Sequence, residues 1–226
     1  MVLACKLFRL EEPMRTDTLV EKLKGWKENI EKGVGEKVFT LRQEVSGLEK
    51  WKDGIWGSIS YDLLVPIMRR NELHYEISTK TTGFFIKRDV LAVLDKKRRA
   101  NRIADLMSRI LFLSPGKILK ASLPDEFLRK LHEEDPEATS VVFFDQVDLP
   151  NVNKLSLYGS ALSSSSAYQE GLKHGKIYYV VFRERKHGFV LGITRDCVIT
   201  AFSKISDRDL VDYIFNEIFP FIIRSS

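Results

Sequence analysis

The sequence predicts an α+β fold built as a tandem duplication, each copy a strand, a helix, an antiparallel meander of strands and a closing helix. Short motifs recur in the same order along the two halves, at an offset that stays between 102 and 111 residues. Apolar residues at i, i+4 spacing mark the helices, and aromatic and β-branched runs mark the strands. At 44% hydrophobic residues and 14 Phe in 226 residues, the chain has enough apolar material for a packed core. The halves are 1–113 and 114–226, separated only by the turn Ser114-Pro115-Gly116, so a single continuous sheet shared by both is the economical arrangement.

The first motif is Lys6-Leu7-Phe8-Arg9 followed by Pro13, echoed by Lys117-Ile118-Leu119-Lys120 followed by Pro124, and each predicts an opening strand. An amphipathic helix follows in both halves, with Leu19, Val20 and Leu23 in the first and Phe127, Leu128 and Leu131 in the second. Asp17 and Asp125 lie near the helix starts, where a carboxylate caps free N–H groups and complements the dipole. The meander begins at Val38-Phe39 and Val142-Phe143 and continues at Ile55-Trp56-Gly57-Ser58 and Leu157-Tyr158-Gly159-Ser160. Leu73-His74-Tyr75 and Ile177-Tyr178-Tyr179 open further strands. Gly83-Phe84-Phe85-Ile86 and Gly188-Phe189-Val190-Leu191 come next, with the two glycines expected in tight turns that need positive φ. Arg88-Asp89-Val90-Leu91 and Arg195-Asp196-Cys197-Val198 lead into the closing helices, expected over 98–112 and Asp209 to Ile218.

This order of elements, tandemly repeated, resembles the TATA-binding-protein-like fold. The resemblance implies a curved antiparallel sheet, concave on one face and covered by helices on the other. In that family aromatic residues at strand hairpins wedge between base pairs. The matching positions here are Phe84 and Phe189, in Lys80-Thr81-Thr82-Gly83-Phe84-Phe85 and Arg185-Lys186-His187-Gly188-Phe189.

Few residues point to chemistry. His74, His132, His174 and His187 are scattered without HxxxH or HExxH spacing, and Cys5 and Cys197 have no CxxC partner, so neither a metal site nor a cofactor is expected. The two cysteines lie in apolar stretches and are expected to be buried free thiols. Ser163 to Ser166 lacks a GxSxG frame, Gly33-Val34-Gly35 is too short for a dinucleotide fingerprint, and Gly175-Lys176 lacks the upstream glycine of a phosphate loop. Asp145 and Asp148 are expected to shape the turn around Pro150, and Glu133-Glu134-Asp135 to form a solvated helix end. No catalytic assignment follows. The opening residues carry Lys6 and Arg9 inside their apolar run, unlike a signal peptide, and no long apolar run exists, so a cytoplasmic protein without membrane contact is expected.

The strongest signal is basic. Residues 1–113 hold 22 Lys+Arg against 16 Asp+Glu, a net of +6, whereas 114–226 hold 14 against 15, a net of −1. Lys96, Lys97, Arg98, Arg99 and Arg102 cluster at the start of one helix, with Arg69, Arg70, Lys87 and Arg88 upstream. Clustered cations neutralise phosphates and release counterions, a sequence-independent source of affinity. The expected function is therefore a non-catalytic, nucleic-acid-associated binding module. Two further readings accompany it: an assembly subunit that docks a protein partner through the second half or the apolar Phe219-Pro220-Phe221-Ile222-Ile223 tail, and a helix-grip domain holding a small ligand under the sheet.

Overall fold

The computed structural model describes residues 2–133 and 138–224. Glu134 and Asp135, expected at a solvated helix end, lie outside the described residues. The chain opens with β1 (Leu3–Leu10), α1 (Thr16–Leu23) and five strands, β2 (Lys27–Val34), β3 (Lys37–Trp51), β4 (Gly54–Arg69), β5 (Glu72–Lys87) and β6 (Val90–Val93), before α2 (Lys97–Phe112). It continues with β7 (Ile118–Ser122), α3 (Asp125–Glu133), β8 (Thr139–Asp145), β9 (Leu155–Tyr158), α4 (Ser166–His174), β10 (Lys176–Arg183), β11 (Val190–Thr194), β12 (Val198–Ala201) and α5 (Asp207–Tyr213). A π-helical turn over Ile214–Ile218, a 3-10 turn over Phe219–Phe221 and β13 (Ile223–Arg224) complete it.

These elements correct the expected fold class. Strand accounts for 47% of the described residues and helix for 28%, so antiparallel sheet dominates and the chain is not clearly an α+β repeat of a strand–helix–meander–helix unit. The strands of the first half are 15, 16 and 16 residues long in β3, β4 and β5. Those of the second half run from 4 to 8 residues in β8 to β12. The second half also inserts α4 between β9 and β10. Equivalent motifs accordingly land in different places. Gly188 sits in a turn with φ of 72°, whereas Gly83 lies inside β5, opposite Ser58 of β4. The physical reason is that a short apolar echo reports local burial, while strand length is set by how far a neighbouring strand continues to supply hydrogen bonds.

The described chain forms two compact units that do not follow the 113/114 boundary. One comprises Leu10–Val93 and Asn101–Ile118, the other Met1–Arg9, Leu94–Ala100 and Leu119–Ser226. The first is here termed the ribbon unit, and its strands run in the order β2-β3-β4-β5-β6, all antiparallel. Burial alternates along inner β4: Ile55, Gly57, Ile59 and Tyr61 are buried, and Trp56, Ser58 and Ser60 are half-buried. That alternation is the period-2 signature of a sheet with one packed face. α1 packs against β3 and β4 through Leu19 and Leu23, and Ile103, Met107, Ile110 and Leu111 form the buried stripe of α2. The Lys22 ammonium ties the helices together by donating to the Leu111 carbonyl at 2.5 Å.

Beyond Tyr61 and Thr82 the ribbon strands leave this core. Their distal halves are tied by tight turns, with Arg70 and Asn71 both at positive φ (50° and 65°) between β4 and β5, as a type I′ hairpin requires. Val38, Met68, Leu73 and Ile77 are exposed there at 67%, 65%, 55% and 47%.

In the second unit the order is β1-β12-β11-β10-β8-β9. α3 packs on β10, and Leu210, Val211, Ile214, Phe215 and Ile218 bury one side of α5 and its π-helical extension. Ser206 caps α5 by accepting the Asp209 N–H at 3.1 Å. Part of the apolar tail expected to dock a partner is engaged within the chain, while Pro220, Phe221 and Ile223 stay exposed. Phe221 stacks on Phe127 at 4.3 Å, Arg9 donates to the Ile222 carbonyl at 2.9 Å, and β13 pairs with β7. Cys5 and Cys197 are both fully buried.

Candidate nucleic-acid interface

The basic segment meets the structure at the start of α2. Lys96, Lys97, Arg98 and Arg99 are all exposed, and the first turn of the helix contains no acidic residue. Free N–H groups make that end the positive pole of the helix, so cations there are unfavourable by about 0.3–1 kcal/mol each in the absence of an anion. Two carboxylates offset part of the cost. Asp95, immediately before the helix, accepts the Lys96 N–H at 2.7 Å and both oxygens receive Arg99 Nε, at 2.8 and 2.7 Å. Asp196, in the turn between β11 and β12, receives the Lys97 ammonium at 2.7 Å and the Tyr178 hydroxyl at 3.4 Å. Lys96 and Arg98 carry no ion pair among the described residues.

Two lysines not singled out by the sequence reading join this group within the same unit. Lys6 of β1 is only 1% exposed, with Nζ 5.0 Å above the Phe8 ring, and Lys120 of β7 is exposed. Burial pushes the Lys6 ammonium below its ordinary pKa, and the charges of Lys97 and Lys120 push the same way while Asp196 opposes them. Lys97 is held above its ordinary value by its hydrogen bond to Asp196. Burial alone would raise Asp196, but the Lys97 ammonium overrides it and holds the carboxyl below the usual range. The signal that could have found these lysines was present: Lys6 opens the first of the two echoed opening-strand motifs and Lys120 closes the second. Behind the group, Arg195 lies 5.7 Å from the Tyr178 ring and bridges Asp145 at 2.6 Å and Asp125 at 3.6 Å. Asp145 is thus an ion-pair partner and not merely a turn former.

The remaining predicted cations belong to the ribbon unit. Arg69 is ion-paired with Glu76, and Lys87 with Asp53 at 2.8 Å. The Lys87 hydrogen bond holds the Asp53 carboxyl below its usual range. Arg102 lies 5.4 Å from the Tyr61 ring. Arg70 and Arg88 occupy turn positions with φ of 50° and 56° and, among the described residues, carry no ion pair. Of the nine predicted cations, then, Lys97, Arg99, Arg69 and Lys87 are engaged by carboxylates, Arg102 lies against the Tyr61 ring, and Lys96, Arg98, Arg70 and Arg88 are the ones left to attract an external anion.

The hairpin aromatics are placed differently from expectation. Phe84 is completely buried within β5, opposite Gly57, so it is a core residue and not a wedge. An added Cβ at Gly57 would come within 2.6 Å of the Phe84 ring, which explains why that register position is glycine. Phe189 is half-buried and stacks on His187 with ring centroids 5.2 Å apart.

Other chemistry-bearing groups are dispersed. His174 lies between Asp148, 2.8 Å from Nδ1, and Glu170, 3.1 Å from Nε2. His187 contacts Glu184 and His74 contacts Glu72, while the His132 side chain lies outside the described residues. A groove of about 300 Å³ in the second unit is lined by Phe127, Leu131, Phe182, Tyr213 and Phe221. Among the described residues no helix is long and apolar enough to cross a membrane. A comparison with protein-family models and with curated proteins found no match.

Proposed function

We propose that the chain is a non-catalytic binding module that engages a nucleic-acid backbone through the cationic group at the start of α2. One observation carries this reading: Lys96, Lys97, Arg98 and Arg99 occupy the positive end of a 16-residue helix whose first turn holds no acid. Asp95 and Asp196 balance two of these charges, and the exposed Lys120 adds one more nearby. Such a surplus is costly to the free protein and favourable once phosphates arrive, because released counterions and helix N–H groups then act together. Backbone contacts of this kind position a nucleic acid without reading its sequence.

Fluorescence-anisotropy titrations of single- and double-stranded oligonucleotides test the proposal. The wild type binds at low salt, and the change of Lys96, Lys97, Arg98 and Arg99 together to Gln weakens binding uniformly across sequences while circular dichroism stays unchanged. Equal affinities for wild type and mutant would reject it. The assembly-subunit reading has its own support, in the exposed Val38, Met68, Leu73 and Ile77 on the distal ribbon strands. Stable recovery of a protein partner lost on changing Met68 and Leu73 to Ser would favour it.

A further inference from the structure

The edge of the ribbon sheet is a different feature, independent of the cationic group. β2 stands at the end of the strand order and all its residues from Lys27 to Gly33 are exposed. An eight-residue edge strand presents a row of unpaired backbone groups, a template for another strand. The phase of those groups follows from the hairpin. Val34 pairs with Lys37 across the two-residue turn Gly35-Glu36, and further along the Trp26 carbonyl accepts the Val45 N–H at 3.0 Å. Even-numbered residues therefore bond to β3, and the N–H and C=O groups of Lys27, Asn29, Glu31 and Gly33 point outward.

We propose that β2 pairs antiparallel with β2 of a second copy of this chain, about a two-fold axis through Ile30. The strand sequence is complementary to itself in that register. Ile30, 37% exposed, meets Ile30 of the second copy. On the same face Glu28 meets Lys32 of the second copy and Lys32 meets its Glu28, and Trp26 meets Val34 at both ends. On the opposite face Asn29 meets Glu31, and Lys27 meets Gly33. Asn29 and Glu31 are outward-bonding residues, so this register also satisfies the ladder. A one-residue shift puts the outward groups out of phase. A two-residue shift in one direction sets Glu31 against Glu31, and in the other it leaves Glu28 and Lys32 unmatched. Neither Glu28 nor Lys32 has an ion-pair partner among the described residues, so both are available for the second copy.

Charge reversal with analytical ultracentrifugation tests the register. The wild type dimerises between about 1 and 200 µM, a range that reports micromolar affinities. Glu28→Lys and Lys32→Glu each place two like-charged pairs across the axis and weaken the dimer by about tenfold or more. Mixing these two variants restores association, because the lysine introduced in one chain then faces the glutamate introduced in the other. Asn29→Pro removes an outward N–H while leaving the β3 ladder intact, and it abolishes the dimer. Ile30→Cys gives an interchain disulfide under mild oxidation, since opposed residues of a non-hydrogen-bonded pair stand about 4.5 Å apart. A wild type that stays monomeric across the range, a mixture that fails to associate, or the absence of that cross-link in the Ile30→Cys variant would each overturn the proposal.

Discussion

Met107 and Met68 are the same residue type in opposite surroundings of one compact unit, and comparing them tests the packing directly. Met107 is 0% exposed on the inner face of α2, whereas Met68 is 65% exposed near the tip of β4. Truncating Met107 to Ala removes three heavy atoms from a filled site, so the loss combines their transfer free energy with that of a residual cavity. For buried methionines the sum is about 2–5 kcal/mol. Truncating Met68 removes atoms already in water and is expected to cost under about 0.5 kcal/mol. For a chain of this size each kcal/mol corresponds to about 2–4 °C in Tm, so Met107→Ala lowers the transition by roughly 4–20 °C. Urea melts followed by circular dichroism, with unchanged m values as a control for the unfolded state, provide the free energies. A Met107→Ala loss below about half a kcal/mol, or a Met68→Ala loss equal to it, would refute the assignment of α2's inner face.

Gly54→Ala is expected to destabilise by about 1–3 kcal/mol, the usual range for overpacking. An added Cβ there would approach the Ile86 carbonyl oxygen, which is backbone and cannot rotate away, to 2.5 Å. A variant with wild-type stability in the same melts would show that the start of β4 is looser than described. His174 is expected to titrate above the ordinary imidazole value, because its hydrogen bond to Asp148 favours the protonated form, with Glu170 adding to it. A raised pKa means that its stabilising effect is complete below about pH 6.5 and fades as pH rises through the folded-state value. NMR titration of the imidazole reads this directly, and Asp148→Asn should lower the midpoint; a wild-type midpoint at or below the ordinary value would contradict the geometry.

Local periodicity carried part of the fold and long-range pairing carried the rest. The run Ile103-Ala104-Asp105-Leu106-Met107 leading to Phe112 places a helix over 98–112, and α2 runs Lys97–Phe112, with Ile103, Met107, Ile110 and Leu111 forming one buried apolar stripe. The aromatic run Lys176 to Phe182 falls within β10 for the same local reason. The extent of β3, β4 and β5 was not legible, since their distal halves are polar or mixed and owe their strand geometry to cross-strand hydrogen bonds. Gly83 misled because a glycine before an aromatic pair reads as a turn, yet the turn lies at Arg70-Asn71, whose two positive φ values mark the hairpin. At the candidate site, the charge cluster was visible in the sequence, but its neutralisation was not. Asp196 is 99 residues from Lys97, and only the folded chain brings that carboxylate to the ammonium.

The most direct measurement for the proposed interface is the salt dependence of oligonucleotide affinity in two double variants. Lys96→Gln with Arg98→Gln removes cations that carry no ion pair among the described residues; Arg69→Gln with Lys87→Gln removes cations engaged by Glu76 and Asp53. Each phosphate contact contributes about 0.7–0.9 to the log–log slope, so losing the first pair should flatten it by about 1.4–1.8. The second pair should leave the slope within about 0.3 of wild type, because those charges are already balanced within the protein. Equal slopes for all three proteins, or a larger change in the Arg69 and Lys87 variant, would contradict a nucleic-acid interface at the start of α2.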